Sequence, residues 1–163
     1  MLDKIENMIR EYPQKKMELK CLEHQIRNFR GISETDMIDS MCFSQPGGER
    51  VSTSNISDKT MKIGTTFRQR MEAINEEWYR HLEQKYFMLL EEIRFFEGAI
   101  RSIPGVEGSI LVDMVFENMS WENLIDKYYV SRTSIARYRK KAISDLAVLY
   151  QKGEAEQIAY MLS

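Results

Sequence analysis

The sequence predicts an all-α protein: a long helical hairpin or coiled coil followed by a small C-terminal helix-turn-helix domain. Three observations point there. Apolar residues recur at steps of three and four over most of the chain, the repeat of a helix with one buried face. Only three prolines and eight glycines occur in 163 residues, so long helices are free to run. Ser120 and Ser131 stand in front of two apolar-periodic stretches as N-caps, with one short helix and a tight turn between them. The expected division is a helical hairpin region over 1–103 and a C-terminal domain over 104–163.

Taken in order, residues 2–30 read as a helix. Leu2, Ile5, Met8, Ile9 and Tyr12 form one stripe, and Leu19, Leu22, Ile26 and Phe29 form a second. Pro13 lies between them, where a kink or restart is expected because proline lacks the N–H and its ring crowds the preceding turn. Residues 31–56 break any period with Gly, Ser and Asn and read as a loop or mobile linker, with a turn at Pro46-Gly47-Gly48 and a short helical turn over Met37 to Phe43. From about Ser57 to Ser102 a long helix is expected. Its apolar stripe is 67, 71, 74, 78, 82, 86, 89, 93, 96, 100 and 103, close to a heptad repeat with one slip near Trp78. About 45 helical residues span roughly 65 Å and cannot bury such a stripe alone. The N-terminal helix is the expected antiparallel partner, and a second copy of the chain would cover the remainder, giving a homodimer or higher homo-oligomer.

Pro104-Gly105 ends that helix, and with Gly108 it is the expected hinge. A first helix from Ser109 to Asn118 then offers Ile110, Leu111, Met114, Val115 and Phe116 to a core. A second helix, Trp121 to Tyr128, adds Trp121, Leu124, Ile125 and Tyr128. After a turn at Tyr129-Val130, a third helix runs from Arg132 to about Lys152 and adds Ile135, Tyr138, Ala142, Leu146 and Leu149. A short amphipathic tail follows Gly153.

The net charge is −2, which argues against a general nucleic-acid coat. Its distribution is uneven. Residues 120–152 carry seven Lys or Arg against three acids, a net of +4, and leave −6 on the remainder. On the third helix, Thr133, Ala136, Arg137, Lys140 and Ser144 fall opposite Ile135. Arg and Lys pair with guanine edges or phosphate, Thr reaches either, and Ala lets a backbone approach closely. Arg132, Arg139 and Lys141 lie to the sides, where phosphates flank an inserted helix. The expected double-stranded DNA contacts are therefore Arg132, Thr133, Ser134, Ala136, Arg137, Arg139, Lys140 and Lys141. A solvated basic helix is the plainer alternative for the same residues.

The run from Ile103 to Leu149 resembles the promoter-reading C-terminal domain of bacterial sigma factors. It is still more similar to phage late-gene regulators of the ArpU and RinA type. The matching residues are Ile103-Pro104, Met119-Ser120-Trp121-Glu122, Val130-Ser131, Arg137-Tyr138, and Ala142-Ile143 with Leu146. The resemblance covers about the last third of the chain by motif and the rest by layout. The chain departs from the pattern at Ile125, where a small residue is usual, and at Tyr129, where Gly usually takes the turn. The resemblance implies a phage or prophage transcription regulator, an activator sooner than a repressor, with RNA polymerase as a further partner. Two other layouts fit the same pattern. One is a small terminase subunit of a DNA-packaging motor; the other is a coiled-coil interaction protein whose basic helix binds an acidic partner.

No hydrolase triad, dinucleotide fingerprint or phosphate loop is present, so catalysis is not expected, nor a cofactor. Cys21 and His24 share a helix face and could form half of a zinc site with Cys42 and His81. A buried thiol and exposed imidazoles is the preferred reading. The N-terminus lacks the apolar core of a signal peptide and no apolar run reaches membrane-span length, so a cytoplasmic protein with reduced thiols and no membrane contact is expected.

Overall fold

The computed structural model describes residues 1–33, 35 and 56–162. The protein is all-helical, and no strand occurs among the described residues. The helices are α1 (Leu2–Arg27), α2 (Ile56–Arg101), α3 (Gly105–Val115), α4 (Trp121–Tyr128) and α5 (Arg132–Met161). The expected loop over 31–56, with its Pro46 turn and Met37–Phe43 helix, falls almost wholly outside the described residues.

Two compact units result, one of Met1–Leu19 with Leu89–Ser163, the other of Lys20–Met88. In the second unit Leu22 and Leu82 are buried. The Phe29 ring meets Tyr79 edge-on at 5.0 Å, and Asn75 Oδ1 accepts the Ile32 N–H at 2.7 Å. Gly31 makes that approach possible, with φ at +74° and the Asn75 side chain where a Cβ would stand. α1 ends at Arg27, three residues before the expected end, and the Asn28 side chain donates to the His24 carbonyl there.

In the first unit α5 crosses two hydrophobic clusters. The larger joins Ile5 of α1, Phe96, Ala99 and Ile100 of α2, Leu111 of α3, and Ala142, Ile143, Leu146, Ala147 and Tyr150 of α5. Tyr12 and Phe116 pack at its margin, with their rings 5.5 Å apart. The smaller is the trio Ile110, Leu124 and Ile135, one from each helix of the C-terminal motif. Met114, Trp121, Ile125, Tyr128 and Tyr138 half-cover it. Antiparallel pairing of α1 and α2 within this unit follows from Lys15 on Glu92, at 2.5 Å, and Tyr12 and Lys16 on Glu97.

Several local expectations need correction. Pro13 lies inside an uninterrupted α1, its ring exposed, so the helix loses one hydrogen bond without breaking. The slip in the long helix falls just before Tyr79: Trp78 is 48% exposed and stacks on His81, while Tyr79 takes the inward place, five residues beyond Ile74. Counted on from 79 through 82, 86, 89, 93, 96, 100 and 103, the stripe steps 3 and 4 without a fault. α3 begins at Gly105, four residues early, and ends at Val115. Gly108 is buried so closely that a Cβ would come 2.0 Å from the Ile103 carbonyl oxygen. The core thus continues across Pro104-Gly105, with Ile100 and Ile103 on one side and Leu111 on the other. α5 does not stop at Lys152; Gly153 is helical and the expected separate tail is the end of the same helix. Cys21 is exposed, where a buried thiol was expected.

Candidate nucleic-acid interface

Local chemistry at α4 and α5 builds the helix-turn-helix. The Ser120 hydroxyl accepts the Asn123 N–H at 3.2 Å, and the Ser131 hydroxyl accepts the Ser134 N–H at 3.2 Å. Each cap satisfies one of the N–H groups a helix start leaves unpaired. Between them Tyr129 sits at φ 52°, ψ 42°, in the left-handed region usually given to glycine. Its side chain is 93% exposed. Tyr129 therefore takes a conformation that Gly would adopt at lower cost, and the strain falls on one residue.

α3 is tied to the end of α4 by a carboxylate. Asp113 is the one buried charged residue among those described. It accepts hydrogen bonds from Lys127 Nζ at 2.7 Å and Tyr128 OH at 2.6 Å. Burial pushes its carboxyl up, but the two donors outweigh burial and hold it below the ordinary carboxylate value. The Tyr128 phenol is pushed up to about 12, first by burial and then by donating to Asp113.

This frame sets the face of α5. Ile135 points into the small cluster, and Arg132, Thr133, Ala136, Arg137, Lys140 and Ser144 are exposed. Among the described residues no carboxylate pairs with Arg132, Arg137 or Lys140. Arg132 lies over the Trp121 ring at 5.6 Å and Arg137 over Tyr138 at 5.4 Å, each an aromatic shelf that limits the cation's freedom. Thr133, Ala136, Arg137 and Lys140 thus share one solvent face at the start of a capped helix, with Arg132 at its flank.

The other three expected contacts are placed elsewhere. Ser134 is half-buried and turned toward the cap, its hydroxyl 3.1 Å from that of Ser131. Arg139 is half-buried and gives two parallel hydrogen bonds to Glu6 of α1, at 2.8 and 2.6 Å. That pairing holds Glu6 below the usual carboxylate range, led by the hydrogen bond to Arg139. Lys141 remains exposed, but its Nζ is 2.7 Å from Glu107 of α3. Of the three flanking cations, Arg139 and Lys141 are paired with carboxylates within the chain, whereas Arg132 at the flank and Arg137 and Lys140 on the outward face have no carboxylate partner among the described residues.

Tyr129 marks a departure from the usual glycine turn and is not among the DNA contacts expected from the sequence. A large, exposed side chain beside the start of α5 is a further candidate contact. The signal for it was the Tyr in a glycine position.

No family model, curated protein or solved structure gives a significant match to this chain.

Proposed function

We propose that this chain is a sequence-specific double-stranded DNA-binding transcription regulator, with the N-terminal half of α5 in the major groove. The observation that carries this reading is the single exposed face of Thr133, Ala136, Arg137 and Lys140. It belongs to a capped helix whose opposite side is fixed by Ile135. Arg137 and Lys140 are the base-reading cations, Thr133 contacts a base or phosphate, and Ala136 permits close approach. Arg132 binds a flanking phosphate. The sigma-like motif adds the biological setting: phage or prophage genes, activation, contact with RNA polymerase, and action in the host cytoplasm. Binding is by a homodimer or higher homo-oligomer, uses no cofactor and involves no catalysis.

Selection of bound duplexes from a fragmented phage or host genome by the purified chain tests the reading. Enrichment of short sites upstream of an operon upholds it; retention of no duplex even at low salt defeats it, and sites beside a packaging gene favour a terminase role. On the enriched site, Arg137→Ala should lower affinity about 10- to 100-fold and relax preference at one base pair. Lys141→Ala, whose amine already serves Glu107, should change affinity little and equally on all duplexes.

A further inference from the structure

The exposed face of α5 changes chemistry along its length. Through Thr133, Arg137 and Lys140 it is polar and basic. Beyond Lys140 the same side carries Ser144, Val148, Gln151, Ala155, Ile158 and Leu162, at steps of 4, 3, 4, 3 and 4. All six are exposed, Ile158 at 57% and Leu162 at 83%. That is the spacing of a coiled-coil seam. The charged residues of this half, Asp145, Lys152, Glu154 and Glu156, all lie off the stripe.

We propose that the C-terminal half of α5 is a pairing seam for a second copy of this chain, and that a DNA duplex is gripped where the two helices diverge toward their N-termini. The proposal rests on the DNA-binding reading and deepens it by naming where the two copies meet.

Three considerations select a second copy as the occupant. From Gln151 to Leu162 no residue is buried, and Glu154 forms an ion pair with Lys4 there. A helical segment so short and so bare is marginal in water, and a self-complementary seam supplies the missing cover. Second, the seam continues the face that carries the base-reading residues. A foreign protein laid on it would lie along the side that Arg137 and Lys140 need for the duplex. Two copies related by a two-fold axis avoid this, because helices that pair at one end and fork at the other leave the duplex between them. Third, the seam is small. From Ser144 to Leu162 it spans roughly 27 Å. With Ser, Gln and Ala at three of six places, it buries less than the about 1,200 Å² of a stable free-standing interface. Pairing is therefore weak in free solution and completed on DNA. Two joined half-sites should be bound about 100-fold more tightly than one, the gain expected when the second contact becomes intramolecular.

The test uses the full chain with Cys21→Ser and Cys42→Ser and one new cysteine, at Ala155→Cys on the seam or at Lys152→Cys on the other side of the same helix. Each is mildly oxidised with and without a pool of random-sequence duplexes at moderate salt. Ala155→Cys should form a disulfide-linked dimer that the duplexes increase several-fold, while Lys152→Cys should not. Retention of duplexes with no Ala155→Cys dimer would overturn the seam and leave the DNA reading standing. If no duplex is retained, the DNA reading fails. Oxidation without DNA at the highest soluble concentration then decides the seam, which a selective Ala155→Cys dimer upholds and its absence overturns. On a sequence enriched from the pool, Ile158→Glu should abolish the 100-fold advantage of two joined sites over one and leave single-site affinity unchanged; an unchanged advantage would also overturn the proposal.

Discussion

The two hydrophobic clusters along α5 differ in what they recruit. The smaller holds three fully buried side chains, Ile110, Leu124 and Ile135, all from the C-terminal motif. The larger draws on α1 and the end of α2 as well as α3 and α5, and contains Ile5, Ile100, Leu111 and Leu146 with no exposed surface. A trio of aliphatic side chains is too little apolar burial to offset the ordering of three helices. The helix-turn-helix is therefore not an appendage on a hairpin. Its third helix is anchored by N-terminal residues, and Arg139 on Glu6 adds a polar tie between the same elements.

That contrast is broken or sharpened most strongly by cavities. Leu146→Ala in the larger cluster should cost about 2–5 kcal/mol, and so should Leu124→Ala in the smaller. If the small cluster depends on the large one, Leu146→Ala lowers one cooperative transition that takes the helix-turn-helix with it. Leu124→Ala should instead loosen α4 while Tyr150 and Phe96 keep their surroundings, a split that aromatic-region NMR resolves. Independent melting of the motif in Leu146→Ala would show that the trio stands unaided and that the comparison is mistaken.

A smaller effect is expected at Asp113, which serves the small cluster alone by holding α3 to Lys127 and Tyr128. Its pKa is lowered in the fold, so its contribution is present above the ordinary carboxylate value and is lost as pH falls through the folded one. Stability should accordingly decline below about pH 4. Asp113→Asn should cost about 1–3 kcal/mol at neutral pH and flatten the decline, read by urea unfolding at several pH values. Glu6 and Glu97, also lowered, keep a residual slope in that variant. An Asp113→Asn curve parallel to the parent's would remove Asp113 from the acid response.

How much of this was legible depended on how local the physics is. The caps at Ser120 and Ser131 and the starts of α4 and α5 were readable because a serine hydroxyl and the N–H three residues on lie close in sequence. The outward set Thr133, Ala136, Arg137 and Lys140 followed from helical period alone. The pairing of Arg139 and Lys141 was not legible, because their carboxylates, Glu6 and Glu107, lie far off in sequence and no periodicity reports them. Steps of four from Ile74 to Leu82 run through Trp78, whereas the ring that meets Phe29 is that of Tyr79. Gly153 suggested a helix end, yet a helical glycine costs only about 1 kcal/mol and needs a positive φ to act as a terminator.

The smallest expected effect has the opposite sign. Tyr129 occupies the left-handed region, at a cost of about 1 kcal/mol that glycine does not bear. Its side chain is almost wholly in solvent, so the fold gains little packing in return. Tyr129→Gly should therefore stabilise the protein by up to about 1 kcal/mol, the greater freedom of glycine in the unfolded chain offsetting part of the gain. A residue that weakens the fold where it stands, next to the face that carries Arg137 and Lys140, points to a contact made by its ring or hydroxyl. The variant that melts higher should then hold duplexes less tightly, with Tyr129→Phe separating loss of the hydroxyl from loss of the ring. If Tyr129→Gly melts higher and binds as the parent does, the strain belongs to the turn alone. If it melts lower, the exposed ring is supporting the small cluster after all, and the difference between the two clusters is narrower than their buried side chains indicate.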